Sequence, residues 1–319
     1  MQLNAQQVID ALPWDALIDQ LADIFTQEVQ SPVRHHHFIP VPDAPQATLL
    51  LMPAWIEGEF LGIKQVNVFP GNSALNLPGL NSHYLLNCGR TGRPLVQLEG
   101  NELTARRTAA VSALAARYLA RSDASRLLVM GAGRMARRLI PAHMAVRPID
   151  KIWVWARNPA AAAELVEELG EQGLDIQVAT EQELPELVPQ MDIVSCATMA
   201  ETPILKGEWL SPGCHLDLIG SFTPTMREAD DEALRRSHIF VDTRAGALSE
   251  TGELLIPIRQ GVITPDHVLA ELSELCGGKH AGRSALPDPD SAITLFKSVG
   301  ASLEDLAAAI LAYQRSQNR

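Results

Sequence analysis

The segment from Leu127 to Ala136 restricts the possible folds more than any other part of the chain. Four apolar residues precede a G-x-G-x-x-A turn, and a run compatible with a helix follows. A buried strand, a tight turn and a helix start have this pattern. In a dinucleotide site Gly131 would permit the turn, Gly133 would let the backbone approach a pyrophosphate, and the helix N-terminus would attract the phosphates. An ordinary turn between a strand and a helix is the alternative, because glycines are common there.

The length and composition suit about two domains with a sizeable core. The 319 residues are 46% hydrophobic, and the formal net charge is −12. Such an acidic chain without a basic cluster argues against nucleic acids and anionic membranes as partners. No apolar run reaches the roughly 18 residues of a membrane span, and the N-terminus lacks the pattern of a secretory signal. The four cysteines are widely spaced without metal-ligand spacing, which predicts reduced thiols in a cytoplasmic protein.

Strand-like and helix-like segments alternate after residue 126. Short apolar runs predict strands at 127–130, 151–155, 175–178, 192–197, 215–219 and 238–241. Helical patterns are expected at 134–146, 158–170, 181–188, 227–236 and 266–275. This alternation predicts an α/β fold, a Rossmann domain with a doubly wound parallel sheet. The dinucleotide interpretation therefore does not depend on the glycines alone.

The N-terminal part has a different, β-rich pattern. A helix interrupted at Pro13 is predicted over residues 5–29, and a long helix is predicted to begin at an N-cap, Thr104, and to end near residue 121. Between them, strands are predicted at 34–39, 47–55, 60–68, 82–87 and 95–98. An amphipathic helix is predicted over residues 301–313.

The end of the second Rossmann strand indicates which dinucleotide to expect. NAD-selective sites have an acidic residue there, about 20 residues after the glycines, which binds the ribose 2′-hydroxyl. Here the strand at 151–155 is followed by Ala156 and Arg157, without an Asp or Glu. A guanidinium suits a 2′-phosphate through its paired N–H donors. The sequence favours NADPH, with NADH possible; the alternative for Arg157 is a solvated surface side chain.

Several motifs in a fixed order extend over nearly the whole chain. They are Met52–Ala54, Gly62–Asn67 with Pro70 and Asn72, Thr91–Pro94, Leu103–Ala110, Gly131–Gly133, Gly220–Pro224 with Arg227 and Glu228, Phe296–Gly300 and Glu304–Ala307. With this set the sequence resembles the ornithine cyclodeaminase/mu-crystallin family, which includes alanine dehydrogenases and ketimine reductases. The resemblance implies an α+β substrate-binding and dimerisation domain (residues 1–121 with 300–319) and an inserted Rossmann dinucleotide-binding domain (residues 122–299). It also implies a homodimer that pairs through the N-terminal domains.

The resemblance further implies which cations bind a substrate carboxylate. Arg34, Lys64 and Arg107 match the family's substrate-binding positions. Either arginine can hold a carboxylate by two parallel hydrogen bonds. Arg107, expected in the first turn of its helix, is disfavoured there by the helix dipole unless it has another partner. Arg34 could equally be a surface side chain, whereas a lysine in an apolar strand beside Ile63 and Val66 is unusual.

Lys64 is the predicted catalytic residue. A buried lysine near two arginines should have a lowered pKa, because burial and like charges disfavour the ammonium form. Such a group can exchange a proton near neutral pH. We expect it to donate to, or orient, the substrate nitrogen while a hydride passes between nicotinamide C4 and the substrate α-carbon.

Cofactor contacts are expected from the glycine turn, from the second strand and from the family's pattern. These positions are Gly131, Ala132, Gly133, Arg134, Met135, Arg157, Asn158, Ala197, Thr198 and Val299.

One position departs from the family's pattern. Cyclodeaminases have an Asp two residues after the glycine that matches Gly220, and this chain has Phe222, which cannot do acid–base chemistry. Plain imine reduction needs no such carboxylate, so the sequence favours reduction of Δ1-pyrroline-2-carboxylate or Δ1-piperideine-2-carboxylate to proline or pipecolate. Alanine dehydrogenase-like reductive amination, ornithine cyclodeamination and mu-crystallin-like NADPH-dependent ligand binding remain as alternatives. Asp217 and Asp242 are assigned to ends of Rossmann strands.

Other polar residues suggest weaker hypotheses. His35–His37 lie in a predicted strand, where neighbours face opposite sides, so half-exposed side chains and no metal site are expected. Glu57 and Glu59 are expected in a hairpin turn. Asn67 and Asn72 either line the substrate pocket or form turns.

Overall fold

The computed structural model describes residues 1–317. In chain order the helices and strands are β1 (Gln2–Leu3), α1 (Ala5–Ala11), α2 (Trp14–Ile24), β2 (His35–Ile39), β3 (Ala47–Ile56), β4 (Phe60–Val68), β5 (Leu80–Cys88), β6 (Pro94–Glu99), α3 (Gly100–Leu119), β7 (Arg126–Met130), α4 (Arg134–Met144), β8 (Lys151–Trp155), α5 (Pro159–Gly170), β9 (Ile176–Val178), α6 (Leu184–Leu187), β10 (Ile193–Cys196), β11 (His215–Leu218), α7 (Asp231–Arg236), β12 (His238–Val241), α8 (Arg244–Glu250), α9 (Gly252–Arg259), β13 (Val268–Glu271), α10 (Leu272–Cys276), β14 (Thr294–Lys297) and α11 (Ser302–Gln317).

These elements form two compact units. Unit 1 consists of Met1–Thr108 and the segment from Ala301 onward, and unit 2 consists of Ala109–Gly300. The division falls inside α3, whereas the domain boundary predicted from the sequence follows that helix.

Unit 1 is built on a six-stranded sheet with the order β1-β6-β5-β4-β3-β2. β1 pairs parallel to β6, and the other neighbours pair antiparallel. The five strands predicted in this part of the chain are confirmed. α11 packs against α2 and against the sheet, and its first residue, Ser302, donates a hydrogen bond to the carbonyl of Pro53 in β3 (2.9 Å).

Two predictions about helices in unit 1 are wrong in detail. The interruption predicted at Pro13 is confirmed, since Pro13 separates α1 from α2 and occupies the N-cap of α2, but α2 ends at Ile24 and not at residue 29. α3 begins at Gly100 instead of being capped by Thr104. Glu99 satisfies the free N–H groups at this end, since its carboxylate accepts hydrogen bonds from Asn101 N (3.1 Å) and Glu102 N (2.7 Å).

Unit 2 is built on an eight-stranded sheet with the order β13-β12-β14-β11-β10-β7-β8-β9, and all pairings are parallel. The six predicted strands and the doubly wound fold are confirmed. β7 lies between β8 and β10, so the strand order reverses there and a crevice opens at the carboxyl ends of β7 and β10. The glycine turn that follows β7 lies at this crevice.

The sequence patterns missed part of unit 2. Residues 266–275 are not one helix: β13 pairs beside β12 at the sheet edge, and α10 follows it. Pairing with a neighbouring strand here overrides a local pattern that also fits a helix. β14, α8 and α9 were not predicted, α7 begins at residue 231 instead of 227, and α6 is a single turn.

Residues 1–317 contain no helix that combines the length and the apolar character needed to cross a membrane.

Candidate active site

Lys64 lies on the buried face of the unit 1 sheet. β4 alternates between buried and half-buried residues, and Gly62, Lys64 and Val66 occupy the buried positions. Met52 on β3 and Tyr84 on β5 lie directly opposite Lys64, and both are buried. Only 3% of the surface of Lys64 is exposed. The predicted burial of this lysine is therefore confirmed.

Two acidic residues at the start of α11, Glu304 and Asp305, contact the buried cations Lys64 and Arg107. We call them the acidic pair. Asp305 accepts a hydrogen bond from Lys64 Nζ through Oδ2 (2.6 Å) and one from Arg107 Nε through Oδ1 (2.8 Å). Glu304 accepts a hydrogen bond from Arg107 Nη1. Both carboxylates are fully buried. They pair with cations as buried charges require.

The environment of Lys64 shifts its pKa in the predicted direction. Burial lowers the pKa of Lys64 to about 8; Asp305 opposes this change, while Arg107 and Arg34 add to it. Although burial by itself lowers the pKa of Arg107, Asp305 and Glu304 raise it above its usual range. Lys64 is thus poised to exchange a proton near neutral pH, and Arg107 stays cationic.

The three predicted substrate-binding cations lie in one region of unit 1. Arg34 is partly buried just before β2 and acts electrostatically on Lys64. Arg107 was expected to face outward in the first turn of its helix. It lies instead in the second turn of α3 with 4% exposure, because α3 starts earlier than predicted and the acidic pair holds the guanidinium. That pair supplies the additional partner that the helix-dipole argument requires.

The buried hydroxyl of Tyr84 also lies in this region. Its oxygen has no hydrogen-bond partner among residues 1–317. Burial raises the pKa of Tyr84, and the nearby Asp305 raises it further, so the phenol keeps its proton. A buried donor without a partner is rare in proteins.

The glycine turn in unit 2 has the backbone of a dinucleotide site. Gly131 has φ +128°, and a Cβ there would lie 2.8 Å from Ala197 O. Gly133 is the N-cap of α4, and a Cβ there would meet no protein atom within 4 Å. The protein itself therefore requires a glycine at position 131 but not at 133. The open space above Gly133 fits a bound pyrophosphate.

Ala197 and Thr198 follow β10 at the same crevice. The backbone N–H and the hydroxyl of Thr198 donate to Glu228 Oε1 (2.7 and 2.9 Å), and Gly220 N donates to Glu228 Oε2 (2.8 Å). Glu228 is fully buried, and burial raises its pKa to about 7, while Lys297 opposes this change. One carboxylate thus joins the loops that follow β10 and β11.

Other predicted cofactor residues border the carboxyl ends of the strands. Arg134 begins α4 and is exposed, and the exposed Arg157 follows β8. Asn158 caps α5 by accepting a hydrogen bond from Ala160 N (3.2 Å). The backbone N–H of Val299 donates to Asp242 Oδ2 (2.8 Å). Ala132 and Met135 are half-buried in the turn and the first turn of α4.

Phe222 and several polar residues considered from the sequence lie in loops, in turns or at exposed strand positions. Phe222 is 50% exposed and supplies no acid. Asn72 donates from its side chain to Pro78 O (2.8 Å), which supports its turn-forming interpretation. Glu57 and Glu59 lie in the β3–β4 turn. The side chains of His35–His37 are exposed on β2, more than the half-exposure that was predicted.

The acidic pair and Glu228 were not predicted from the sequence as site residues. Glu304 and Asp305 were noted only as part of a family motif, and Glu228 follows Arg227 in another one. The sequence feature that could have indicated them is a carboxylate at the start of a helix or among apolar residues. Each has at least one partner 30 or more residues away along the chain, as Glu228 has in Thr198, so the sequence does not show the pairing.

Comparison with known proteins extends over the whole chain. The model of the ornithine cyclodeaminase/mu-crystallin family matches residues 2–319. A Δ1-pyrroline-2-carboxylate reductase from Paracoccus denitrificans is 41% identical over 266 residues, 83% of this chain and 82% of the relative.

Two solved structures show the same fold. The Δ1-pyrroline-2-carboxylate reductase of Thermococcus litoralis, in complex with NADH and L-proline, has a TM-score of 0.89 and 33% identity over 100% of this chain and 98% of its own. An archaeal alanine dehydrogenase dimer with bound NAD has a TM-score of 0.87 and 28% identity over 100% of this chain and 97% of its own. The neighbours support a nicotinamide dinucleotide as cofactor.

Proposed function

This chain belongs to the ornithine cyclodeaminase/mu-crystallin family, and we propose that it is an NAD(P)H-dependent reductase of small cyclic imino acids. Its substrate would be Δ1-pyrroline-2-carboxylate or Δ1-piperideine-2-carboxylate, and its product proline or pipecolate. The observation that carries this proposal is the buried ammonium of Lys64, which contacts Asp305, has Arg107 and Arg34 near it, and has its pKa lowered to about 8 by burial. The reductase relatives agree with it.

The charges of unit 1 suit a carboxylate substrate. Arg34, Lys64 and Arg107 carry three positive charges, and the acidic pair carries two negative charges. A region with three cations suits a ligand that carries a carboxylate. Arg107 donates to the acidic pair through Nε–H and one Nη1–H, so a guanidinium with five N–H groups retains donors for a ligand.

Lys64 would act on the substrate nitrogen. Its ammonium has three N–H donors, and Asp305 engages one of them. Another N–H of Lys64 would donate its proton to the imine nitrogen. The neutral amine of Lys64 would then take up a proton from solvent. Such proton transfer contributes about 10²–10⁴-fold to rates. When bound, the nicotinamide supplies the hydride.

The fit of unit 2 to the cofactor rests on the glycine turn. The open space above Gly133 and the N-terminus of α4 would receive the pyrophosphate. We further propose NADPH as the preferred form, because Arg157 is exposed after β8, where NAD-selective sites place an acidic residue. Ala197, Thr198 and Val299 would border the nicotinamide half.

We also propose that the protein forms a homodimer through unit 1. β2 is an edge strand of the sheet, and unpaired edges invite pairing with another chain. Large apolar side chains are exposed in this unit, namely Val33, Phe38, Leu75, Leu77 and Leu80. Light scattering of the wild type should give the mass of a dimer, and Phe38→Asp should shift the population toward monomer; a monomeric wild type would contradict the proposal.

The deciding experiment follows nicotinamide absorbance with purified protein. Cyclic imino acids and pyruvate with ammonia are compared as substrates with NADPH and with NADH. Release of ammonia from ornithine in the presence of the oxidised cofactor is measured separately, because cyclodeamination leaves the nicotinamide unchanged overall. Turnover of the cyclic imino acids is expected to be fastest. Turnover of pyruvate with ammonia alone would indicate an alanine dehydrogenase, and binding of NADPH without turnover of any substrate would indicate a ligand-binding protein.

A further inference from the structure

The carboxylate of Asp305 bridges the two most deeply buried cations of unit 1. One of its oxygens accepts from Lys64 Nζ and the other from Arg107 Nε, at 2.6 and 2.8 Å. A carboxylate that binds two donors through separate oxygens fixes both donors relative to each other. We propose that Asp305 is a positioning residue, which aligns Lys64 with Arg107 and holds Lys64 in its protonated form for the reaction. This inference rests on the proposed reductase function.

The charges around Lys64 explain why it needs this partner. Arg107 from α3 and Arg34 from the segment before β2 both disfavour the ammonium, as does burial. Tyr84, opposite on β5, is neutral because its pKa is raised. Asp305 is the negative group in direct contact with Lys64. Without it, a lysine buried beside two guanidinium groups would lose its proton well below pH 8.

Asp305 is itself held in its charged form and in place. Although burial by itself raises the pKa of its carboxyl, Arg107 and Lys64 lower it below the usual range. The backbone around it is anchored because Ser302 donates to Pro53 O (2.9 Å) and shares a hydrogen bond with Ser31 (2.7 Å). The acceptor is therefore held in place and stays negatively charged near neutral pH.

The neighbouring Glu304 provides a matched control. It is equally buried, is the neighbouring residue in α11, and accepts from Arg107 Nη1, whereas Asp305 accepts from Arg107 Nε. Neutralising it removes one buried negative charge, as neutralising Asp305 does. Only Asp305 contacts both cations in the described structure. A difference between the two variants therefore reports the bridge to Lys64 and not the loss of a buried charge.

The test measures the protonation of Lys64 directly, in the full-length protein. The ¹³Cε resonance of Lys64, assigned by its absence in Lys64→Arg, is followed against pH in the wild type, Asp305→Asn and Glu304→Gln. We expect the midpoint near pH 8 in the wild type and about one to three pH units lower in Asp305→Asn, with a much smaller change in Glu304→Gln. An unchanged midpoint in Asp305→Asn would overturn the inference, whatever substrate the enzyme uses.

Kinetics provide the second readout. In Asp305→Asn the fall of kcat/KM at high pH should begin at a correspondingly lower pH. Asp305→Glu restores the carboxylate but displaces it, so this fall should stay near its wild-type position while kcat decreases. If Asp305→Asn does not fold, the kinetics of Asp305→Glu test the positioning role by themselves. A kcat of Asp305→Glu equal to that of the wild type would refute the role. Absence of turnover with every imino acid would refute the proposed function and leave the NMR result to judge Asp305.

Discussion

The backbone N–H and the hydroxyl of Thr198 both donate to one oxygen of Glu228, at 2.7 and 2.9 Å. The other oxygen accepts from Gly220 N. A buried side chain therefore joins the loops that follow two central strands at the crevice of the Rossmann sheet. Loops at this edge bind the ligand in such sheets, so we expect Glu228 to support cofactor binding without touching the cofactor.

Glu228→Gln should weaken cofactor binding. The amide can accept from Thr198, but its NH₂ group would face the N–H of Gly220, and two donors repel. A hydrogen bond to a charged group contributes about 1.5–3 kcal/mol, so the dissociation constant should rise about 10-fold or more. Fluorescence titration with NADPH measures it. Glu232→Gln, on the half-exposed surface of α7, is the control; equal affinities in both variants would contradict the supporting role.

Glu228 should also give stability a characteristic pH dependence. Burial raises its pKa to about 7 from 4.5, so between these values the folded state binds more protons than the unfolded state. The free energy of unfolding contributed by this group should therefore fall as pH rises from about 4.5 to about 7. Chemical denaturation at several pH values measures the slope. Glu228→Gln should make the slope less negative over this range, and an unchanged slope would show that Glu228 does not titrate there.

Lys64→Met should abolish most of the activity. Methionine fills a similar volume without a proton donor, so kcat/KM for the imino acid should fall about 10²–10⁴-fold. In the wild type, kcat/KM should decline as pH rises through about 8, because the amine form of Lys64 cannot donate. Initial rates at saturating cofactor measure both effects. The exposed Lys206 provides the control variant Lys206→Met, which should behave as the wild type; full activity of Lys64→Met would exclude the proposed role.

The two glycines of the turn should respond differently to alanine. Gly131→Ala places a side chain at positive φ and against Ala197 O, so it should lower the Tm of the free protein. Gly133→Ala meets no protein atom within 4 Å and should leave that Tm unchanged or slightly higher. It should nevertheless weaken NADPH binding, since the added methyl occupies the space meant for the pyrophosphate. Thermal denaturation with and without NADPH separates the two effects; undiminished binding in Gly133→Ala would contradict the phosphate site.

Arg157→Ser should reduce the preference for NADPH over NADH. Loss of a charge-assisted contact of about 1.5–3 kcal/mol corresponds to a ratio of kcat/KM values at least about 10-fold smaller. The exposed Arg259 offers the control variant Arg259→Ser. If the ratio of kcat/KM with NADPH to kcat/KM with NADH in Arg157→Ser equals the wild-type ratio, Arg157 does not determine the choice of cofactor.

The sequence by itself determined the Rossmann fold, the glycine turn and the unusual burial of Lys64. These depend on local patterns: strand–helix alternation, a G-x-G spacing, and a lysine in the period-two register of a buried strand face. It could not locate β13, because a short segment becomes a strand only when a neighbouring strand offers its hydrogen bonds.

Only the tertiary structure decided which charges neutralise one another. Asp305 lies 241 residues after Lys64, and no local pattern links a helix start to a strand that far away. Arg107 faces the interior because its helix begins four residues earlier than Thr104 suggested and because α11 brings the acidic pair to it. The identity of a buried cation can be read from sequence, but its pKa and its partner depend on which elements pack against it.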